Sequence, residues 1–317
     1  MKICQVYNYI APAKDSMGAQ RVCEALTKGL VGLGHDVVML IDPRSTETPA
    51  PVVTEVPADT DIIHFHQWEP GNIDYESYGK PYVISIHGGG TPEPESWHMA
   101  TRGNPHILCV SKFISVHVGC PEYVWECTDP DQFMMTKEKN NFRGGYYFWI
   151  GGTDWGEGKG IFTTIRLAKK LRFRLKIAGT GKNEAMIAKI KSLCDDKIEY
   201  LGGVNGDQKA KLFAKARATI LLTQLPDACP VVMAESLISG TPVIGSIHGS
   251  MPEVIKSGVG YIIDNDLEFT KAIATIDKIN PSDCRTYAME HLSANASAKK
   301  HLKYYENMIK YGDVSGS

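Results

Sequence analysis

The sequence has 317 residues, with 34 Lys or Arg against 36 Asp or Glu, so its formal net charge at pH 7 is -2. This length suits one large or two ordinary domains, and the balanced charge excludes a general basic field that would attract nucleic acid or an anionic membrane. The 8 cysteines contain no CxxC pair, which argues against a zinc cluster or a redox dithiol. With a polar N-terminus and no apolar run of bilayer length, we expect a cytoplasmic protein without a signal peptide or a transmembrane segment.

The first half of the sequence alternates short β-branched runs with segments of helical period. The runs are "KICQVYNYI", "DVVMLID", "DIIHFH", "YVISIHG" and "HILCVSK", and the first helical segment is "RVCEALTKGLVGL". Such alternation predicts βαβ units that build a parallel sheet. Between residues 128 and 145 the pattern gives way to Pro, Asp, Asn and Lys, which predicts a domain boundary.

The second half repeats this alternation, from "YYFWIGG" through "RLKIAGTG" and "ATILLTQ" to "GYIID". We therefore predict an α/β protein with two Rossmann-like, doubly wound parallel-sheet domains, at residues 1–135 and 136–290. Residues 291–317 are predicted to form a helix and tail that cross the joint between the domains. Open α/β sheets bind ligands beyond the carboxyl ends of their strands, so candidate site residues should follow strands and face a central cleft.

Two acids of the stretch "DACPVVMAE" stand out. Asp227 follows the strand "ATILLTQ", and Glu235 lies about one and a half turns into the next helix. Carboxylates accept hydrogen bonds from vicinal hydroxyls, so the pair suits a sugar and a ribose held side by side. The alternative is an acid that complements the helix dipole, together with an unrelated surface Glu.

The continuation "ESLISGTPVIGSIHGSMPEVI" carries a resemblance to a known family. Together with Asp227 it resembles the nucleotide-sugar motif of the family-four retaining glycosyltransferases of GT-B fold (glycosyl transferases group 1). In that family an acid, seven residues and a Glu precede A-x-G-x-P-V. The segments "MGAQRVCEALTKGLVGLGHDVVML", "HILCVSK", "IGGTDWGEGKG" and "IEYLGGV" are similar to other parts of the same family, so the resemblance covers most of the chain.

The resemblance implies an activity and its partners. It implies retaining transfer of a sugar from a nucleotide-sugar donor, a UDP-sugar or a GDP-sugar, to a hydroxyl of a glycan or other small acceptor. The implied chemistry is front-face displacement in which the leaving phosphate helps to deprotonate the acceptor, and it requires no divalent metal or other cofactor.

The resemblance also implies roles for individual residues. Glu235 is expected on the ribose, Asp227 on sugar hydroxyls, and Lys159 on the diphosphate, whose growing charge needs a fixed cation or a helix N-terminus. A solvated lysine near a helix start is the alternative for Lys159. The remaining residues expected to bind the donor are Gly18, Gly151, Gly152, Gly179, Cys229, Pro230 and Val231.

Histidines complete the candidate site. His87 ends the strand "YVISIHGGG" and, by the resemblance, contacts the transferred sugar, although a lone His is often structural; we group it with Asp227 and Lys159 as a catalytic candidate. His66 is expected to line the acceptor side. His64 and His66 share one face of a strand, as metal ligands would, but a third ligand at convincing spacing is lacking, so no metal site is predicted.

Two positions depart from the family pattern, and a third, Pro230, carries a familiar variant of it. An Arg often follows the strand's glycine, whereas this chain has Gly151-Gly152-Thr153. Unless another cation substitutes, a contact worth roughly 1.5 to 3 kcal/mol is lost. Asp227 replaces the usual Glu and is one methylene shorter, and Pro230 has no N–H to donate. Two alternatives stay open: a GT-B sugar-nucleotide epimerase or hydrolase, and a catalytically weakened sugar-nucleotide-binding module.

Overall fold

The structure is a computed structural model that describes residues 1–13, 18–67, 73–88, 101–135 and 145–316. The chain forms two compact units. The N-terminal unit comprises Met1–Asp129, Ala228–Val231 and His291–Ser317, and the C-terminal unit comprises Pro130–Asp227 and Val232–Glu290. The main boundary thus lies after Asp129, whereas the sequence predicted it after residue 135. The C-terminal segment, which was predicted to cross the joint, belongs to the N-terminal unit. Much of the predicted connection, residues 136–144, lies outside the described residues.

The N-terminal unit contains a six-stranded parallel sheet of order β3-β2-β1-β4-β5-β6. The strands are β1 (Lys2–Val6), β2 (Asp36–Leu40), β3 (Val52–Val53), β4 (Ile62–Phe65), β5 (Tyr82–Ile86) and β6 (Ile107–Cys109). Every residue of β4 and β5 is buried, as expected for central parallel strands covered on both faces. The accompanying helices are Gly18–Gly32, Lys112–Val118 and Ala294–Tyr311.

The helix Ala294–Tyr311 completes the core of this unit. It buries Ala298, Tyr305 and Met308 in the same apolar cluster as the helix Gly18–Gly32. A Cβ at Gly29 would overlap the carbonyl oxygen of Ala294, so a glycine is needed for the two helices to approach this closely. The last helix is therefore part of the N-terminal fold.

The C-terminal unit contains a second six-stranded parallel sheet, of order β12-β11-β10-β7-β8-β9. The strands are β7 (Tyr146–Ile150), β8 (Arg174–Ala178), β9 (Ile198–Tyr200), β10 (Thr219–Leu221), β11 (Val243–Ser246) and β12 (Gly260–Ile263). The helices are Ile161–Leu171, Glu184–Ser192, Gly206–Lys215, Val231–Ile238, Met251–Val254, Asp266–Thr275 and Pro281–His291. Two of their terminal residues, Val231 and His291, are grouped with the N-terminal unit. Within the described part of the chain, no helix is both long and apolar enough to cross a bilayer.

The strand order of the C-terminal sheet fixes where a ligand can approach. The chain runs outward from β7 to β8 and β9, then returns to the other side of β7 with β10. Because the direction of strand addition reverses there, the carboxyl edge at β7 and β10 is the switch point, where open α/β sheets bind their ligands. Lys159 follows β7 and Asp227 follows β10.

Candidate functional site

The loops that carry Lys159 and Asp227 are fastened to each other by backbone contacts. Gly158 O accepts hydrogen bonds from Gln224 N at 3.0 Å and from Leu225 N at 3.2 Å. Gly160 has a φ of 70°, and a Cβ at this residue would overlap the carbonyl oxygen of Leu222. The phosphate-loop candidate "GEGKG" therefore lies directly against the segment that leads to Asp227.

Two predicted catalytic residues meet at this point. Lys159 Nζ donates a hydrogen bond to Asp227 Oδ2, and the two side chains are 32% and 17% exposed. Asp227 is held through its backbone, because its carbonyl accepts from Ser250 N at 3.0 Å. A cation and a carboxylate thus sit together, within reach of a solute, at the switch point of the sheet.

Glu235 lies deeper than its predicted ribose role suggested. The residue is 1% exposed, and its Oε1 accepts a hydrogen bond from Lys209 Nζ at 2.8 Å. Lys209 is itself buried, with its Nζ 5.4 Å from the ring centroid of Phe133. Lys209 was not predicted as a site residue, although a lysine in line with Leu212 and Phe213 on the apolar face of a helix is a signal for a buried charge. Ribose binding by Glu235 remains a prediction.

The predicted donor-binding glycines of the C-terminal unit differ in their surroundings: Gly179 packs against backbone, whereas Gly151 and Gly152 face tryptophan side chains. Gly179 has a φ of 154°, and a Cβ there would overlap the carbonyl oxygen of Gly151. Gly152 has a φ of -65° and precedes the short 3-10 segment Thr153–Lys159. A Cβ at this residue would lie 3.2 Å from the exposed ring of Trp155. The position where the family often has an Arg is therefore open on one side and lined by Trp155.

Four other predicted donor-binding residues, Gly18, Cys229, Pro230 and Val231, belong to the N-terminal unit. A Cβ at Gly18 would lie 3.1 Å from Cγ1 of Val231 and 4.0 Å from Oε2 of Glu126. Cys229 is buried and Pro230 is half-buried. The structure thus brings Gly18 and Val231 together, as adjacent positions of one unit, and adds a carboxylate beside them.

That carboxylate belongs to a chain of buried and half-buried polar side chains. His87 Nδ1 is hydrogen-bonded to Glu126 Oε1 at 3.0 Å, and His87 Nε2 to His66 Nδ1 at 3.1 Å. His66 Nε2 continues to Gln5 Oε1 at 2.6 Å. Both ring nitrogens of His87 and of His66 are therefore occupied within the protein. Glu126 lies in an irregular segment, and no sequence pattern marked it.

Desolvation decides the charge of the inner histidines. His64 and His66 are almost fully buried, and this burial lowers the pKa of each well below its usual value, with nearby histidines adding to the effect. His64 is hydrogen-bonded to Tyr305 OH at 2.6 Å and to Ser85 Oγ at 2.7 Å. Among the described residues, no group of three or more His, Cys, Asp or Glu side chains is arranged to hold a metal ion.

Two six-stranded parallel sheets, each with helices interleaved along the chain, define a GT-B protein, as the sequence predicted. The model of the family described as glycosyl transferases group 1 matches residues 138–296, half of the chain. The chain belongs to this family.

Individual relatives agree with that assignment. An uncharacterized glycosyltransferase of Methanocaldococcus jannaschii is 28% identical in a 246-residue alignment that covers 64% of this chain and 61% of the relative. The crystal structure of a glycosyltransferase involved in avilamycin A biosynthesis superposes with a TM-score of 0.79 at 21% identity, over 98% of both chains. Anabaena HepE, solved with UDP and glucose, superposes with a TM-score of 0.71 at 13% identity, over 95% of this chain and 98% of HepE. At these identities the solved structures establish the fold.

Proposed function

We propose that the protein is a retaining glycosyltransferase that moves a sugar from a UDP-sugar or a GDP-sugar to a hydroxyl of a glycan or small acceptor. The observation that carries the proposal is the meeting of Lys159 and Asp227 at the switch point of the C-terminal sheet. A sugar nucleotide carries a diphosphate next to a ring of hydroxyls. A lysine beside a carboxylate complements that arrangement, since the cation suits the phosphate and the carboxylate accepts from hydroxyls.

The position of the pair supports a donor site in the C-terminal unit. Ligands of open α/β sheets bind beyond the carboxyl ends of strands at a switch point. Both side chains are partly exposed, so a solute can reach them. HepE has the same fold and was solved with UDP and glucose. The N-terminal unit then recognises the acceptor, with His66 and His87 in the supporting network.

Lys159 supplies the charge that the reaction needs. As the bond between the sugar and the diphosphate breaks, negative charge grows on the leaving phosphate, and a fixed cation stabilises it. The leaving phosphate accepts the proton of the acceptor hydroxyl as that oxygen attacks from the same face of the sugar. Because the lysine carries the positive charge, the proposal requires no divalent metal.

The test is an assay with UDP-glucose and GDP-mannose, with and without glycan acceptors. We expect Lys159→Ala to lower turnover by at least about tenfold, since it removes a charge-assisted contact made to the transition state. Lys211→Ala, which removes an exposed lysine of the same unit, is the matched control and should leave turnover unchanged. Wild-type rates in Lys159→Ala would remove this lysine from the site.

The same assay separates the two alternatives. Release of free nucleotide without an acceptor indicates a hydrolase. Saturable binding of the nucleotide sugar without turnover indicates a binding module with weakened chemistry. Transfer to an added glycan supports the proposed function.

A further inference from the structure

Lys159 and Asp227 neutralise each other's charge in the structure. Their loops are fixed by backbone contacts, so the two side chains already face each other when a donor arrives. Because both side chains are partly exposed, a ligand from solvent can reach the ion pair and open it. An incoming diphosphate must therefore take the ammonium group away from the carboxylate.

Opening the pair has different consequences for the two nucleotides that meet this site. An intact sugar nucleotide offers phosphate oxygens to Lys159 and sugar hydroxyls to Asp227, so both released groups gain a new partner. A nucleoside diphosphate offers only phosphate oxygens. It leaves the Asp227 carboxylate without its cation and beside a second anion, where like charges repel each other.

We propose that Asp227 is a specificity-determining residue that favours the intact sugar nucleotide over the spent nucleoside diphosphate, because it competes with the diphosphate for Lys159. The inference rests on the proposed function and adds a consequence to it. Removal of a side chain from a binding site usually weakens binding. Removal of the Asp227 carboxylate should instead tighten the binding of the reaction product, the nucleoside diphosphate. Product release from the wild-type protein is then assisted by the ion pair that re-forms behind the leaving diphosphate.

The experiment compares equilibrium affinities of the full chain, by calorimetry at low salt, for UDP, UDP-glucose, GDP and GDP-mannose. In Asp227→Asn we expect the affinity for the cognate nucleoside diphosphate to rise by about tenfold, and that for the sugar nucleotide to rise less or to fall. Asp196→Asn is the matched control, since it removes one exposed carboxylate of the same unit and changes the net charge equally. It should leave all four affinities unchanged.

A double variant shows whether the effect passes through the lysine. In a Lys159→Ala background, Asp227→Asn removes only the direct repulsion of the diphosphate, so it should raise the affinity for the diphosphate less than in the wild-type background. Unchanged or weaker diphosphate binding in Asp227→Asn, with a wild-type melting temperature, overturns the inference and leaves the proposed function standing. If the wild-type protein binds none of the four nucleotides, the proposed function fails, and the inference fails with it.

Discussion

At the scale of single residues, the departure from the family pattern at Gly152 can be reversed. Gly152 has a φ of -65° and a ψ of 122°, which any L-residue adopts, and a Cβ would meet only the ring of Trp155, which is 56% exposed and free to shift. We expect Gly152→Arg to raise the affinity for UDP or GDP by about tenfold, because the new guanidinium can bind phosphate oxygens in a forked geometry. Isothermal titration at two salt concentrations measures the change.

Gly152→Gln is the matched control for Gly152→Arg. It introduces a side chain of similar reach without charge, so it reproduces any effect of the new Cβ on Trp155. Equal affinities in the Arg and Gln variants would mean that position 152 does not face the phosphates.

The sequence predicts candidate residues for this site but does not predict their contacts. Lys159 and Asp227 were predicted separately, from a glycine loop and from an acid after a strand, and their direct ion pair depends on which strands are neighbours. Lys209 and Glu126 were missed because their partners, Glu235 and His87, lie 26 and 39 residues away in the chain. Contacts over such separations follow from the folded sheets and leave no local pattern in the sequence.

At the scale of elements, the site depends on one close approach of two backbones. Gly160 combines a left-handed φ with a missing Cβ that would overlap the Leu222 carbonyl. We expect Gly160→Ala to lower the free energy of unfolding by about 3 kcal/mol, since left-handed strain and a steric overlap add together. Urea denaturation measures this loss, and turnover should fall as well because Lys159 is the preceding residue.

Gly202→Ala separates strain from overlap. Gly202 has a φ of 74°, but nothing lies within 4 Å of the place that a Cβ on this residue would take. Its substitution should cost only about 1 kcal/mol. A similar loss for both alanine variants would show that the loops after β7 and β10 are not packed against each other as closely as the Gly160 contact requires.

Most strands were predictable, because β-branched runs such as β4 and β5 are buried on both faces and stand between helical segments. β3 was missed: it has only two residues, Val52 and Val53, and pairs with β2 at the edge of the sheet. The sequence also did not predict where the C-terminal helix packs. Its sequence reads as a charged helix, and the packing of Tyr305 against the N-terminal core is a contact across nearly the whole chain.

At the scale of the whole molecule, the described histidines whose pKa values are lowered all belong to the N-terminal unit. They are His35, His64, His66 and His301. Three of them are buried where the C-terminal helix meets the sheet: His64 and His301 lie beside Tyr305, and His66 lies beside His64. The C-terminal unit has no counterpart to this cluster among the described residues. Acid should therefore act unequally on the two units.

The sign of the effect follows from linkage. Burial lowers the pKa of His301 to about 4 from 6.5, so between these values the unfolded chain binds a proton that the folded unit does not. The contribution of neutral His301 to the free energy of unfolding is fully present above pH 6.5. It is lost as pH falls toward 4, up to on the order of 3 kcal/mol. His64 and His66 act in the same direction.

We expect calorimetric scans between pH 7.5 and 4.5 to show an unfolding transition that moves steadily to lower temperature. His301→Gln, which cannot take up this proton, should flatten that dependence, whereas His117→Gln, at an exposed position of the same unit, should leave it unchanged. A melting temperature independent of pH over this interval would mean that the buried histidines are not held in their neutral form.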